Sequence, residues 1–97
     1  MLISSGQINI TTLSGSASAN TASIRGLLRN VVVKPTTEST MYDIKITNQA
    51  GATIYERTSE TGTLSEINEI PIIGMYTVTI SNATRDEDFL IQLISEN

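Results

Sequence analysis

The stretch from Thr40 to Thr58, T-M-Y-D-I-K-I-T-N-Q-A-G-A-T-I-Y-E-R-T, constrains the fold more than any other. Tyr42, Ile44 and Ile46 alternate with Asp43, Lys45 and Thr47, the period-two pattern of a strand with one face in a core and the other in water. Asn48-Gln49-Ala50-Gly51 follows as a turn, because Asn and Gly adopt positive φ where other residues are strained. Ala52 to Thr58 then returns with Ile54 and Tyr55. The stretch predicts a β-hairpin, and the rest of the chain reads as further strands laid against it.

Ninety-seven residues make one domain, near the lower end of sizes that bury a self-sufficient core. Aromatic residues are only 4% and Trp is absent, so the core must be built from Ile, Val and Leu, which favours a thin β-sandwich. No cysteine is present to staple it, and association with copies of itself or with a larger partner is attractive on stability grounds. The chain also lacks histidine. Without Cys or His it assembles no thiolate nucleophile, Ser-His pair, zinc site or imidazole base. The expectation is therefore a non-enzyme with no cofactor, no metal and no small-molecule substrate.

The N-terminus, M-L-I-S-S-G, shows neither a basic n-region nor a sustained apolar run, so no secretory signal is expected. No apolar run approaches the roughly 20 residues of a membrane-spanning helix, and no membrane partner is expected. Net charge is −4, which argues against nucleic acid, because phosphate binding needs a cationic face. The charge is unevenly placed. Residues 1–48 carry four basic against two acidic side chains, net +2, and residues 49–97 two basic against eight acidic, net −6. Interleaved strands would average this out on the surface; a bipolar surface would instead suit complementarity between neighbouring subunits.

In chain order, Gln7 to Thr12 alternates and predicts a strand, whereas Leu13 to Ser23 is too poor in bulk to pack and predicts a loop or extended linker. Residues 1–22 thus read as an N-terminal arm and Ser/Thr-rich linker, either a first strand with a loose loop or a segment that pairs with a neighbouring chain. Residues 23–97 read as the sandwich domain. Ser23 to Lys34 is a strand in which Leu28, Val31 and Val33 share a face only if a bulge at Gly26 or Asn30 absorbs one residue. Pro35 ends it. Leu64 to Ile73 contains Pro71 and predicts an edge or crossing segment. Met75 to Asn82 is a strand with Tyr76, Val78 and Ile80 on one face, and it echoes Met41 to Asn48 as Met-Tyr-x-aliphatic-x-Ile-x-Asn. Two such hairpins facing each other would make an aligned sandwich. Asp88 to Ser95 is apolar on both faces except at Gln92, which suits a central strand or one covering a subunit interface.

Each candidate site has a plain structural alternative. Asp86-Glu87-Asp88 has the alternation that opens some calcium loops but lacks the downstream glycine and bidentate acid, so it reads as a solvated turn. Glu56, Glu60, Glu66 and Glu69 offer carboxylates for glycoside chemistry, without an aromatic platform to hold a sugar. Tyr42 and Tyr76 fall on apolar faces and read as core rather than as sugar-stacking rings. Asn9-Ile10-Thr11 and Asn82-Ala83-Thr84 match the glycosylation sequon, a match that an Asn- and Thr-rich chain makes by chance. Arg25 and Arg29 flank Gly26-Leu27-Leu28 and are suited to gripping an acidic partner surface, against simple solvation.

Three stretches, I-R-G-L-L-R-N-V-V-V-K-P (Ile24 to Pro35), M-Y-D-I-K-I-T-N-Q-A-G-A-T-I-Y (Met41 to Tyr55) and I-P-I-I-G-M-Y-T-V-T-I-S-N-A-T-R-D-E-D-F (Ile70 to Phe89), carry a family resemblance. Taken together, the chain resembles small structural proteins of tailed bacteriophages, particularly the head decoration or cement proteins that sit on capsids. The resemblance implies a homo-oligomeric virion protein, made in the host cytoplasm and placed on the capsid exterior. Such a protein would bind the major capsid protein or another virion protein across subunit joints, with affinity from apolar and backbone contacts. The alternative is a tail or fibre module that recognises a host glycan or another virion protein. The fold expected is all-β, a small antiparallel β-sandwich, jelly-roll or Ig-like, with an extended N-terminal arm. Partner-binding residues are expected at Ile3, Ile8 and Ile10 in the arm and at Arg25 and Arg29, and a chain lacking residues 1–22 is expected to fold but to bind its virion poorly.

Overall fold

The computed structural model describes residues 3–96, with side chains from residue 6 onward. Alternating apolar and polar residues produce eight strands: β1 (Ile3–Thr11), β2 (Ala17–Asn20), β3 (Ile24–Pro35), β4 (Met41–Thr47), β5 (Thr53–Thr61), β6 (Leu64–Gly74), β7 (Thr77–Ser81) and β8 (Asp88–Glu96). They form two four-stranded sheets, a front sheet in the order β1-β8-β3-β6 and a back sheet in the order β2-β7-β4-β5. Every neighbouring pair is antiparallel.

The order has a simple origin. β4 pairs with β5, β3 with β6, β2 with β7 and β1 with β8, so the chain is one long hairpin whose successive strand pairs alternate between the two sheets. Rolled in this way, an eight-stranded hairpin is a jelly roll, and the Ig-like alternative falls away. The hairpin of residues 40–58 is its apex. Asn48 holds that turn with its own side chain, whose Oδ1 accepts from the backbone N–H groups of Ala50 at 3.0 Å and Ala52 at 2.9 Å.

The inner faces supply a core of aliphatic side chains. Leu28, Val31, Val33, Phe89, Ile91 and Leu93 come from the front sheet and Tyr42, Ile44, Ile46, Val78 and Ile80 from the back sheet, all buried. The Tyr42 and Phe89 rings meet edge to face with centroids 5.2 Å apart, tying the two layers. At one open side of the sandwich Arg57 of β5 forms an ion pair with Glu66 of β6 and lies 4.9 Å from the centre of the Tyr55 ring. Burial pushes the Tyr55 hydroxyl up to about 12.

Several expectations are met and several are revised. β6 is an edge strand, and its outer position is what tolerates Pro71. β3 does absorb an extra residue between Leu28 and Val31, but the register shift lies between Leu28 and Asn30, around Arg29, rather than at Gly26. The expected linker contains a strand, because Ala17–Asn20 adds to the edge of the back sheet beside β7. The two echoed segments lie side by side in that sheet instead of facing each other across the core. Lys45 pairs with Thr79 at the centre of the β4–β7 ladder, and Ile44 pairs with Ile80 as Ile46 does with Val78, so a local two-fold through that central pair relates the echoed positions.

Candidate interaction surface

The connections β1–β2, β3–β4, β5–β6 and β7–β8 gather at one pole of the sandwich, where acidic side chains hold them to one another. Asp86 accepts from the backbone N–H groups of Ser14 (2.9 Å) and Gly15 (2.8 Å). Glu87 accepts from the Thr37 N–H (2.6 Å) and the Thr40 hydroxyl (3.1 Å), and Asp88 from the Thr11 hydroxyl (2.5 Å). The acidic cluster is thus a solvated turn, with Asp86 and Asp88 exposed, that also ties the loops together. Among the described residues no group of three His, Cys, Asp or Glu side chains converges as metal ligands do.

Two further carboxylates act in the same way. Asp43 accepts from the Ser59 N–H (2.8 Å) and the Asn82 side-chain amide (2.7 Å), and these hydrogen bonds, the Ser59 one first, hold its carboxyl below the usual range. Glu38 accepts from the Thr63 hydroxyl (2.8 Å) and the Thr63 N–H (3.1 Å) and is lowered by the same two donors, the hydroxyl first. Of the glutamates considered for glycoside chemistry, Glu66 is engaged by Arg57 and Glu69 by Arg29 at 3.2 Å. The three tyrosines and the one phenylalanine are all buried, so none of the aromatic rings of the chain forms an exposed platform.

The five residues expected to bind a partner have different surroundings. Ile10 is 2% exposed and belongs to the core of its own chain, and Ile8 packs half-buried against that core. The sandwich occupies the Ile10 side chain, which corrects its reading as a contact offered to a neighbour, whereas Ile8 keeps part of its surface open. The backbone of Ile3 pairs with Glu96, and its side chain lies outside the described residues. Arg25 is exposed on the outer face of the front sheet. Arg29, at the register shift of the same strand, lies 3.2 Å from Glu69 and 3.9 Å from Glu96.

The outer faces of the two sheets differ in kind. The back sheet presents Ser18, Thr79, Lys45 and Glu56 in one row and Asn20, Thr77 and Thr47 in the next. Hydroxyl and amide ladders cross it, with Ser18 to Thr79 at 2.9 Å and Thr77 to Asn20 at 2.9 Å. The front sheet presents an apolar stripe instead. Leu90 and Ile94 of β8 lie diagonal to Val32 and Leu27 of β3, with Gln92 and Asn30 among them, and β6 adds Ile67, Pro71 and Ile73 around Glu69. Ile67 is 80% exposed and Ile73 77%. Toward the tied pole the stripe gives way to an open depression of about 460 Å³ around Asn9, Lys34, Asp88 and Leu90.

Sequence reasoning anticipated the two-faced character of β8 but missed β6, the strand with the most exposed isoleucines. The strand alternates regularly, with Ser65, Ile67, Glu69, Pro71 and Ile73 outward, but Glu66 and Asn68 on its inward side and isoleucines on both sides hide that alternation in the sequence. Fold and surface together define a jelly-roll domain with one mostly polar and one partly apolar sheet face. Comparison with protein-family models and with curated proteins finds no match for this chain.

Proposed function

We propose that this chain is a non-enzymatic structural protein of a virion, of the decoration or cement kind, which docks by the outer face of its front sheet. The observation that carries the reading is the contrast between the two sheet faces. A monomer surrounded by water gains nothing from holding Ile67 and Ile73 in the open, and contiguous apolar surface marks a contact site. The fold adds an analogy, since jelly rolls serve as viral capsid and lectin domains. Chemistry agrees with it, because a chain without Cys or His has few means of catalysis. On this reading the protein sits on the capsid exterior, covers joints between capsid subunits and adds buried interface that resists outward pressure.

A recognition module remains the second reading, favoured by the depression around Asn9, Lys34 and Asp88, whose polar groups suit a glycan. The burial of the aromatic rings weighs against it, because sugar sites draw on exposed ring faces. Co-sedimentation with capsids of the virus that encodes the protein tests the first reading. The wild-type chain is expected to pellet with capsids, and Ile67→Lys with Ile73→Lys to stay in the supernatant while keeping its β circular-dichroism spectrum. A wild-type chain that ignores capsids but binds on a glycan array would replace the first reading with the second.

A further inference from the structure

The two central strands of the front sheet carry opposite charges at neighbouring heights, for Lys34 stands opposite Leu90, two residues from Asp88, and Glu96 opposite Leu27, two residues from Arg25. On its outer face β3 has Lys34 at one end and Arg25 at the other, while its neighbour β8 has Asp88 at one end and Glu96 at the other. Among the described residues neither Lys34 nor Arg25 forms an ion pair within the chain. Between the charged ends lie Leu90 and Ile94 on β8 and Val32 and Leu27 on β3. The centre of the face is therefore mixed, with Gln92 and Asn30 set among the aliphatic side chains, basic ends on β3 and acidic ends on β8.

We propose that this face packs on the same face of a second copy of the chain, related by a two-fold axis that runs parallel to the strands midway between β8 and β3. Such an axis lays β8 of each copy over β3 of the other and keeps each residue at its own height along the strands. Asp88 of one copy then comes within reach of Lys34 of the second, and Glu96, 3.9 Å from Arg29 of its own chain, within reach of Arg25, while at the centre Val32 faces Gln92 and Ile94 faces Asn30. Each contact occurs twice, as an isologous interface requires, and two twisted sheets stack in this way at a spacing of about 10 Å. A two-fold that laid β3 on β3 would oppose like charges.

The area is adequate. Four strands about 4.8 Å apart and about 30 Å long cover roughly 600 Å² in projection, and a face covered in side chains exposes more than its projection. That approaches the roughly 800 Å² per partner of a standard specific interface. The inference rests on the front face being the assembly surface and names its first partner, a second copy of the chain.

Sedimentation equilibrium on the full chain, across the micromolar range, tests it. The wild type is expected at twice the 10.5 kDa of one chain. Lys34→Glu alone places two acids together at both contacts, Asp88→Lys alone places two lysines together, and each is expected to weaken self-association at least about tenfold. Both positions are exposed; Asp88→Lys also gives up the Thr11 tie and is expected to lower the melting temperature modestly, and unchanged circular dichroism would show that both variants fold. Mixed one to one, the two variants meet opposite charges at both contacts, and the dimer is expected to return. A monomeric wild type, or single variants that dissociate without recovering on mixing, would overturn the proposal. Capsid co-sedimentation scores the parent reading separately. A monomer that still pellets with capsids defeats the dimer alone, and a dimer that ignores capsids defeats the virion role alone.

Discussion

Gly62 meets two demands that no other residue type meets. It turns the chain from the back sheet into the front sheet with φ +73°, and a Cβ there would lie 2.6 Å from the backbone oxygen of Glu38. Its own carbonyl accepts the buried Tyr42 hydroxyl at 2.7 Å. Gly62→Ala therefore combines left-handed strain with a backbone clash and is expected to cost about 3 kcal/mol in urea unfolding. Gly51, at φ +84° with nothing within 4 Å of an added Cβ, is the control, and Gly51→Ala should cost only the strain, about 1 kcal/mol. The carboxylates of the tied pole make a prediction of a different kind. Asp43 and Glu38 have folded-state pKa values below their ordinary ones, so folding favours their ionised forms. Their contribution is fully present above the unfolded-state pKa near about 4 and is lost as pH falls through the lower folded value. The urea midpoint should therefore fall between about pH 5 and about pH 2, and Asp43→Ala should make that decline shallower.

Among the elements, β1 and β2 change the expectation most. β1 pairs along its whole length with β8 and places Ile10 in the core, while β2 covers the edge of β7. Removing residues 1–22 deletes one strand from each sheet and exposes the inner faces of both. The truncated chain is expected to lose its cooperative unfolding transition and to bind dyes that report exposed apolar surface. A truncated chain that still melts sharply would contradict this. The physics of each element also explains which of them were legible. Alternation was readable in β4 and β7 because Ile44, Ile46, Val78 and Ile80 contrast sharply with Lys45 and Thr79. In β2 the sequence A-S-A-N has almost no such contrast, and it is extended because β7 offers it a ladder, strengthened by the Ser18 and Asn20 side chains. The alternation of Ile8 and Ile10 was equally readable, but a local pattern says only that one face is covered and not by whose core. The acidic turn 86–88 hid its role for a similar reason, since its partners lie more than 45 residues away along the chain, at Thr11, Ser14, Gly15, Thr37 and Thr40.

For the molecule as a whole, the nesting of the strand pairs has a kinetic consequence. Closing Ile3 onto Glu96 directly would join the two most distant described points of the chain, and such long closures make all-β proteins slow to fold. The rolled hairpin offers a cheaper order of events. Once the turn at 48–52 has formed, β4–β5 pairing brings β3 toward β6, that pair brings β2 toward β7, and β1 reaches β8 last, each step enclosing only a short additional loop. Folding of this kind resembles the closing of a zip from its fastened end. Substitutions at the start, such as Asn48→Ala, should slow folding with little effect on unfolding, and those at the last pair, such as Ile10→Val, should mainly speed unfolding. Stopped-flow rates for the two variants would show this order, or its reverse. If the zip closes as described, the front sheet is completed last, when β1 arrives. The face proposed for association then comes into being only on a chain that has already finished folding, and half-folded copies would have no completed surface by which to assemble.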